Sequence, residues 1–144
     1  MSDASAPRIE ICGPDDAEAR KVILDGIMDY NASQVGDPGM SPLTVVLRDP
    51  ESGAPLGGLT GKTNKAWLFI ELFHIPEGLR RHRLGAQLLA MAEDEAKKRG
   101  CIGAWLDSYS FQAPGFYLKQ GYQEFGVIPD HPPGHRRHFF LKRF

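Results

Sequence analysis

The chain has 144 residues, 42% of them apolar, with 17 Lys plus Arg against 18 Asp plus Glu; that length suits one domain burying roughly 70% of its unfolded surface. Its 16 Gly and 11 Pro fall below the ~25–30% that marks low-complexity disorder, and no apolar run approaches the ~18 residues of a membrane span. The near-zero net charge hides an asymmetry: residues 1–79 carry 6 basic and 12 acidic side chains and residues 80–144 carry 11 and 6, so the second half suits an anion.

Arg8–Cys12 (R-I-E-I-C) alternates and predicts a short strand that Gly13-Pro14 stops. Asp15 and Asp16 offer caps for a helix running to about Tyr30. In it Val22, Ile23, Gly26, Ile27 and Tyr30 recur at the 3/4 spacing of a buried face. Ala32 to Pro42 holds two Gly and two Pro and predicts a loop. Leu43–Arg48 is a strand, Asp49–Gly53 a turn, and Pro55–Thr63 a second strand weakened at Gly57-Gly58. Trp67–Ile75 is apolar on both faces apart from Glu71 and His74, which argues for a central strand. Leu84–Arg99 predicts a helix with Leu84, Leu88, Met91, Ala92 and Ala96 in one stripe and a basic end at Lys97–Gly100. Ile102–Ser108 is a strand, Ala113–Gln120 a short helix closed by Gly121, and two last strands lie around Tyr122–Ile128 and His138–Arg143. The order β-α-β-β-β-α-β-α-β-β predicts a mixed α/β fold with early antiparallel hairpins and one βαβ crossover.

Met1–Pro7 lacks a basic start followed by an apolar stretch, so no secretory signal is expected, and residues 1–7 read as a flexible tail. Cys12 and Cys101 lie far apart and form no CxxC, which argues against a disulfide scaffold and a zinc ribbon. The expectation is a soluble cytoplasmic protein of one domain, residues 1–144.

The segment Arg80-Arg81-His82-Arg83-Leu84-Gly85-Ala86 places three Arg and one His before the N-terminus of the strongest helix. That end is already positive, and each added cation there costs roughly 0.3–1 kcal/mol. An anion held by free backbone N–H groups would remove the penalty, whereas a solvated basic turn would simply tolerate it. GxxxxGK[ST] and GxGxxG are both absent, so neither a Walker loop nor a Rossmann fingerprint explains the segment.

This strand–loop–helix resembles the pyrophosphate loop of the GNAT superfamily of acyl-CoA-dependent N-acetyltransferases, with motif [RQ]-x-x-G-x-[GA]. Arg80–Gly85 matches it except that Arg83 stands at the first Gly. Phe73-His74-Ile75-Pro76-Glu77 resembles the family's cofactor strand. Phe116-Tyr117-Leu118-Lys119-Gln120-Gly121-Tyr122 resembles its FY-x-x-x-G-[FY] signature, and Ser110 stands where many members carry Asn. The resemblance covers roughly residues 8–144. It implies a central mixed sheet, largely antiparallel with a splayed parallel pair, and helices on both faces.

It also implies acetyl-CoA as co-substrate and an amine of a small molecule or protein as acceptor. The backbone of Phe73, His74 and Ile75 would pair with the pantetheine arm, and the N–H groups of Arg81 to Ala86 (Arg81, His82, Arg83, Leu84, Gly85, Ala86) would hold the pyrophosphate. The side chains of Arg80, Arg81 and Arg83 would take remaining phosphate charge, and Ser110 would fill the Asn position. Tyr117 would stabilise the departing thiolate, against the alternative of a core tyrosine.

Glu71 is the candidate base. Strand alternation would put it in a row with Trp67, Phe69 and Phe73, where desolvation suits a base near neutrality. An ion pair with an Arg, or a water as base, are the alternatives. His131, His135 and His138 have only Asp130 as a neighbouring carboxylate, so no metal is expected and they are assigned to the rim of the acceptor cleft. Neither cysteine falls in a motif, so transfer would be direct, through a ternary complex. A non-catalytic acyl-CoA-binding module is the rival reading. Nucleic acid is disfavoured for want of a recognition motif, no membrane partner is expected, and a homodimer is compatible with the sequence.

Overall fold

The computed structural model describes residues 5–144, apart from the side chain of Arg81. The chain divides into two compact units, one ending at Asp37 and one spanning Pro38–Phe144.

The first unit contains α1, Ala17–Val35. Asp16 caps it by accepting the Ala19 N–H at 2.9 Å, which satisfies one of the orphan donors of a helix start. The helix runs five residues past the expected Tyr30. Between Tyr30 and Gly36 no Gly or Pro interrupts it; Gly36 takes φ +75° and donates its N–H to the Ala32 carbonyl at 2.9 Å. Arg8–Cys12 is not a strand. Five alternating residues are equally compatible with extended coil, and a strand exists only once a neighbour pairs with it.

The second unit is a six-stranded sheet. Its strands are β1 (Ser41–Arg48), β2 (Pro55–Asn64), β3 (Trp67–His74), β4 (Gly103–Tyr109), β5 (Gln123–Pro129) and β6 (Arg136–Arg143), in spatial order β1-β2-β3-β4-β6-β5. Every neighbouring pair is antiparallel except β3–β4. That parallel pair needs a crossover, supplied by the 3-10 helix Glu77–His82 and by α2, Leu84–Lys98. The short helix α3, Pro114–Lys119, joins β4 to β5.

The core forms where the apolar stripe of α2 meets one sheet face. Leu88, Leu89, Ala92 and Ala96 pack with Leu43, Leu59, Leu68, Ile70, Ala104, Leu106 and Phe140. Burial of a Leu or Phe side chain contributes about 1.5–3 kcal/mol, so this cluster is the main source of stability. Arg99, just past α2, fastens the helix to the sheet: its Nη1 donates to the Pro42 carbonyl at 3.0 Å and to Thr63 Oγ1 at 3.2 Å.

Two irregularities of β3 prepare the site. The first is a bulge. Thr60 faces Leu72 and Gly61 faces Ile70, so Glu71 is the extra residue. A Cβ on Gly61 would lie 1.9 Å from the Phe69 carbonyl oxygen, so only glycine permits that approach. The second is a splay. Parallel pairing with β4 stops at Ile70↔Leu106, while β3 remains paired to β2 as far as His74↔Gly58 and β4 to β6 as far as Tyr109↔Arg137. The two strands therefore separate from Glu71 and Asp107 onward.

Candidate active site

The splay opens into a cleft of about 1240 Å³, walled by β3, α2, β4 and α3. Of the residues expected there, Glu71, Phe73, His74, Ile75, Arg80, Arg83, Gly85, Ala86 and Tyr117 all line it. They come from β3, from the crossover that follows it and from α3.

One wall of the cleft is the start of α2. The first α-helical bond is made by Gln87 N–H to the Arg83 carbonyl at 3.3 Å, so the N–H groups of Leu84, Gly85 and Ala86 precede it and remain available. Among the described residues no side chain caps this end, and its first turn holds no acid, which leaves the positive helix terminus uncompensated. Arg83 sets the turn with φ +56° and ψ +23°, in the left-handed region. A glycine adopts that conformation freely, so the departure from the family motif falls where its glycine would sit without strain. Gly85 lies close under the opposite wall: a Cβ there would meet the Phe116 ring at 3.2 Å and Ile75 Cδ1 at 3.3 Å.

The Arg80 Nε donates to the Ile75 carbonyl at 2.9 Å, pinning the loop to the end of β3. Arg81 and His82 belong to the 3-10 helix rather than to an open loop. The side chain of Arg81 lies outside the described residues, and His82 is exposed and away from the lining. Of the expected stretch Arg81–Ala86, the cleft lining includes Arg83, Gly85 and Ala86.

Tyr117 is half-buried among aromatic rings, with centroids 6.4 Å from Phe73, 5.1 Å from Phe116, 6.1 Å from Tyr122 and 5.8 Å from Phe140. Its hydroxyl donates to no described residue. Burial, and secondarily the Asp107 carboxylate, push its pKa up to about 12, so the phenol stays protonated at working pH.

Glu71 reaches the cleft because of the bulge. Leu59 pairs with Phe73, Gly61 with Ile70 and Thr63 with Leu68, so Phe73 shares the core face with Leu68 and Ile70 rather than a row with Phe69 and Glu71. The expected aromatic row is therefore broken, and Glu71 is exposed. No ion pair holds it among the described residues.

Ser110 is not brought into the cleft. Its hydroxyl accepts the Arg136 N–H at 3.0 Å and bonds His135 Nδ1 at 3.3 Å, tying the end of β4 to the β5–β6 turn. His131 meets Tyr109 edge-on, and His138 bonds Glu124 and stacks on Phe140. Burial pushes the Cys101 thiol up, toward its unreactive protonated form.

Sequence reasoning missed Asp107, Phe111, Gln112 and Lys119, which also line the cleft. Asp107 takes a two-point bond from Arg137, Nε and Nη2 each at 2.8 Å, and the guanidinium lies 5.3 Å from the Tyr109 and Phe139 ring centroids. Only the β4–β6 register reveals that pair. Negative groups gather where the strands part, and positive ones at the α2 end.

The model of the Acetyltransferase (GNAT) family matches residues 15–122. The chain belongs to the GNAT family. Among curated relatives, Acetyltransferase Atu2258 of Agrobacterium fabrum is 36% identical over 129 residues, covering 90% of this chain and 93% of that protein. Blasticidin-S acetyltransferase of Streptomyces morookaense is 42% identical over 93 residues, 64% of this chain and 68% of that protein. A GNAT-fold acetyltransferase structure from Bacillus cereus superposes with TM-score 0.86 at 38% identity, over 96% of this chain and 98% of that one. One from Agrobacterium tumefaciens gives 0.89 at 33%, over 96% and 100%. The mixed sheet with its single parallel pair is the GNAT architecture expected from the motifs.

Proposed function

We propose that this GNAT-family chain is an N-acetyltransferase, acting as one domain, that moves acetyl from acetyl-CoA to a primary amine by direct attack in a ternary complex. The observation that carries the reading is one cleft combining free helix N–H groups, an unpaired strand edge and a half-buried phenol. The fit to acetyl-CoA is chemical. Leu84, Gly85 and Ala86 N–H groups, with Arg80 and Arg83 beside them, suit a pyrophosphate. From Glu71 to Ile75 the backbone edge that β4 no longer pairs suits the amides of a pantetheine arm, with Phe73, His74 and Ile75 as its partners. Acetyl-CoA supplies an acyl carbon that accepts the amine nitrogen while the C–S bond breaks and the thiolate leaves.

Tyr117 donates a hydrogen bond to that thiolate. A phenol at about 12 against a thiol near 8.5 makes full proton transfer uphill by roughly 5 kcal/mol, so the hydrogen bond itself is the contribution. Glu71, or a water beside it, takes the proton released by the amine.

The test has two stages. Acetyl-CoA at millimolar concentration should raise the melting temperature while adenosine alone does little, since pyrophosphate and pantetheine make the main contacts. A thiol-release screen over a panel of amines should then find turnover. No thermal shift overturns the reading. Binding without turnover for any amine would leave an acyl-CoA-binding module.

A further inference from the structure

We infer that Glu93 and Lys142, with Tyr122, form a strut that holds Tyr117 at a set position relative to the N-terminus of α2. Glu93 and Lys142 are thereby positioning residues for the transfer; only this last step rests on the acetyl-transfer reading.

Glu93 lies on α2, nine residues past Leu84 and so roughly 13 Å further along the axis. Its side chain is 8% exposed, and it is the one charged residue in the core of the described chain. The carboxylate accepts the Tyr122 hydroxyl at 2.9 Å and the Lys142 ammonium at 2.8 Å. The same ammonium donates to the Gln120 carbonyl at 3.1 Å, at the end of α3. Tyr122 N–H in turn donates to the Tyr117 carbonyl at 3.0 Å. One buried carboxylate thus links the helix that begins at the anion-binding wall to both residues flanking Gly121, and through them to Tyr117.

Two arguments favour a role in geometry over one in stability. α3 has six residues and no side-chain cap at its start, too short to hold itself as a helix, so its orientation comes from contacts outside it. A buried ion pair, moreover, is seldom more stable than apolar side chains of similar volume. What it adds is fixed distances and directions. Burial and the Glu93 charge also push the Tyr122 phenol far up, which keeps it the donor to Glu93.

The experiment uses protein labelled with 3-fluorotyrosine, the Tyr117 line being assigned through Tyr117→Phe. The variants are Lys142→Met and the double Glu93→Met/Lys142→Met, which replaces the pair by apolar side chains. The double variant should melt within about 5 °C of wild type and bind acetyl-CoA within about threefold, since no contact of the α2 N-terminus is removed. Its Tyr117 line should shift or broaden, and kcat for the best amine of the panel should fall by about tenfold or more, as misplacement of a reacting group predicts. An unchanged Tyr117 line, or an unchanged kcat, overturns the inference. So does loss of folding in the double variant, which would make the pair a plain stabilising brace. If wild type fails to bind acetyl-CoA, the acetyl-transfer reading falls, and the fluorine line alone still decides the strut.

Discussion

At Arg83 a side chain occupies a left-handed backbone position, φ +56°, that costs an L-residue roughly 1–2 kcal/mol. Arg83→Gly relieves that strain but adds about 0.4–1 kcal/mol of unfolded-chain entropy. The variant should therefore be equal to wild type or up to ~1.6 kcal/mol more stable in urea denaturation, with acetyl-CoA affinity within about tenfold. A lower midpoint would mean that the Arg83 side chain itself braces the loop. Tyr117→Phe removes one hydroxyl and should lower kcat by on the order of 10²–10⁴ while leaving acetyl-CoA binding almost unchanged, since the hydrogen bond matters once charge forms on sulfur. The same substitution has a signature at alkaline pH. The folded state holds this phenol at about 12 against about 10 unfolded, so its stabilising share is complete below pH 10 and is lost as pH rises from 10 to 12. Tyr117→Phe should flatten the fall of unfolding free energy across that window; an equally steep fall would show that Tyr117 is solvated. Glu71→Gln should act on the acceptor side alone, lowering turnover while the dissociation constant of acetyl-CoA stays put in calorimetry. Wild-type turnover in that variant would assign the proton to water.

Among the elements, the bulge of β3 depends on one glycine in the neighbouring strand. Gly61→Ala brings a Cβ to 1.9 Å from the Phe69 carbonyl oxygen, and one of the two strands must move. Unfolding free energy should drop by about 2 kcal/mol or more, read from a lower urea midpoint at constant slope; a neutral result would mean the bulge shifts along the strand without cost. The bulge also marks where the sequence stops being legible. Strand and helix ends from Leu43 onward follow alternation, the 3/4 stripe and Gly or Pro punctuation, and fall within two residues of the observed ones. That Arg80, Arg83 and Tyr117 line one cleft was legible because each sits in a contiguous run with recognisable spacing. Glu71 was found as a residue but not in its setting, since the extra residue follows from Gly61, ten positions earlier. Asp107–Arg137 and Glu93–Lys142 lie 30 and 49 residues apart. No local pattern links such partners; strand register does. Arg8–Cys12 failed for the opposite reason: its pattern was local and complete, but a strand is a property of two segments.

Over the whole molecule, the excess of basic groups after residue 80 puts Arg80, Arg83 and Lys119 in the lining of the cleft. Attraction between exposed charges fades as the Debye length shrinks from ~10 Å at 0.1 M salt to ~3 Å at 1 M. Acetyl-CoA affinity should therefore weaken severalfold between 0.05 and 0.5 M salt, measured by calorimetry. An affinity indifferent to salt would leave the uncapped helix end, rather than the arginines, as the anion's main partner. The parting of β3 from β4 has one more consequence, for the protein among its neighbours. A strand edge on the rim of a sheet invites other polypeptides to zip onto it. Here the raw edge is recessed inside the sheet, closed at one end by the Ile70↔Leu106 pair and walled by α2 and α3. A foreign strand, with side chains projecting to both faces, is too bulky to slide into such a wedge, while a thin, flexible chain carrying a few amides can. The fold thus keeps an unpaired strand edge inside its sheet and screens by thickness what can stick to it.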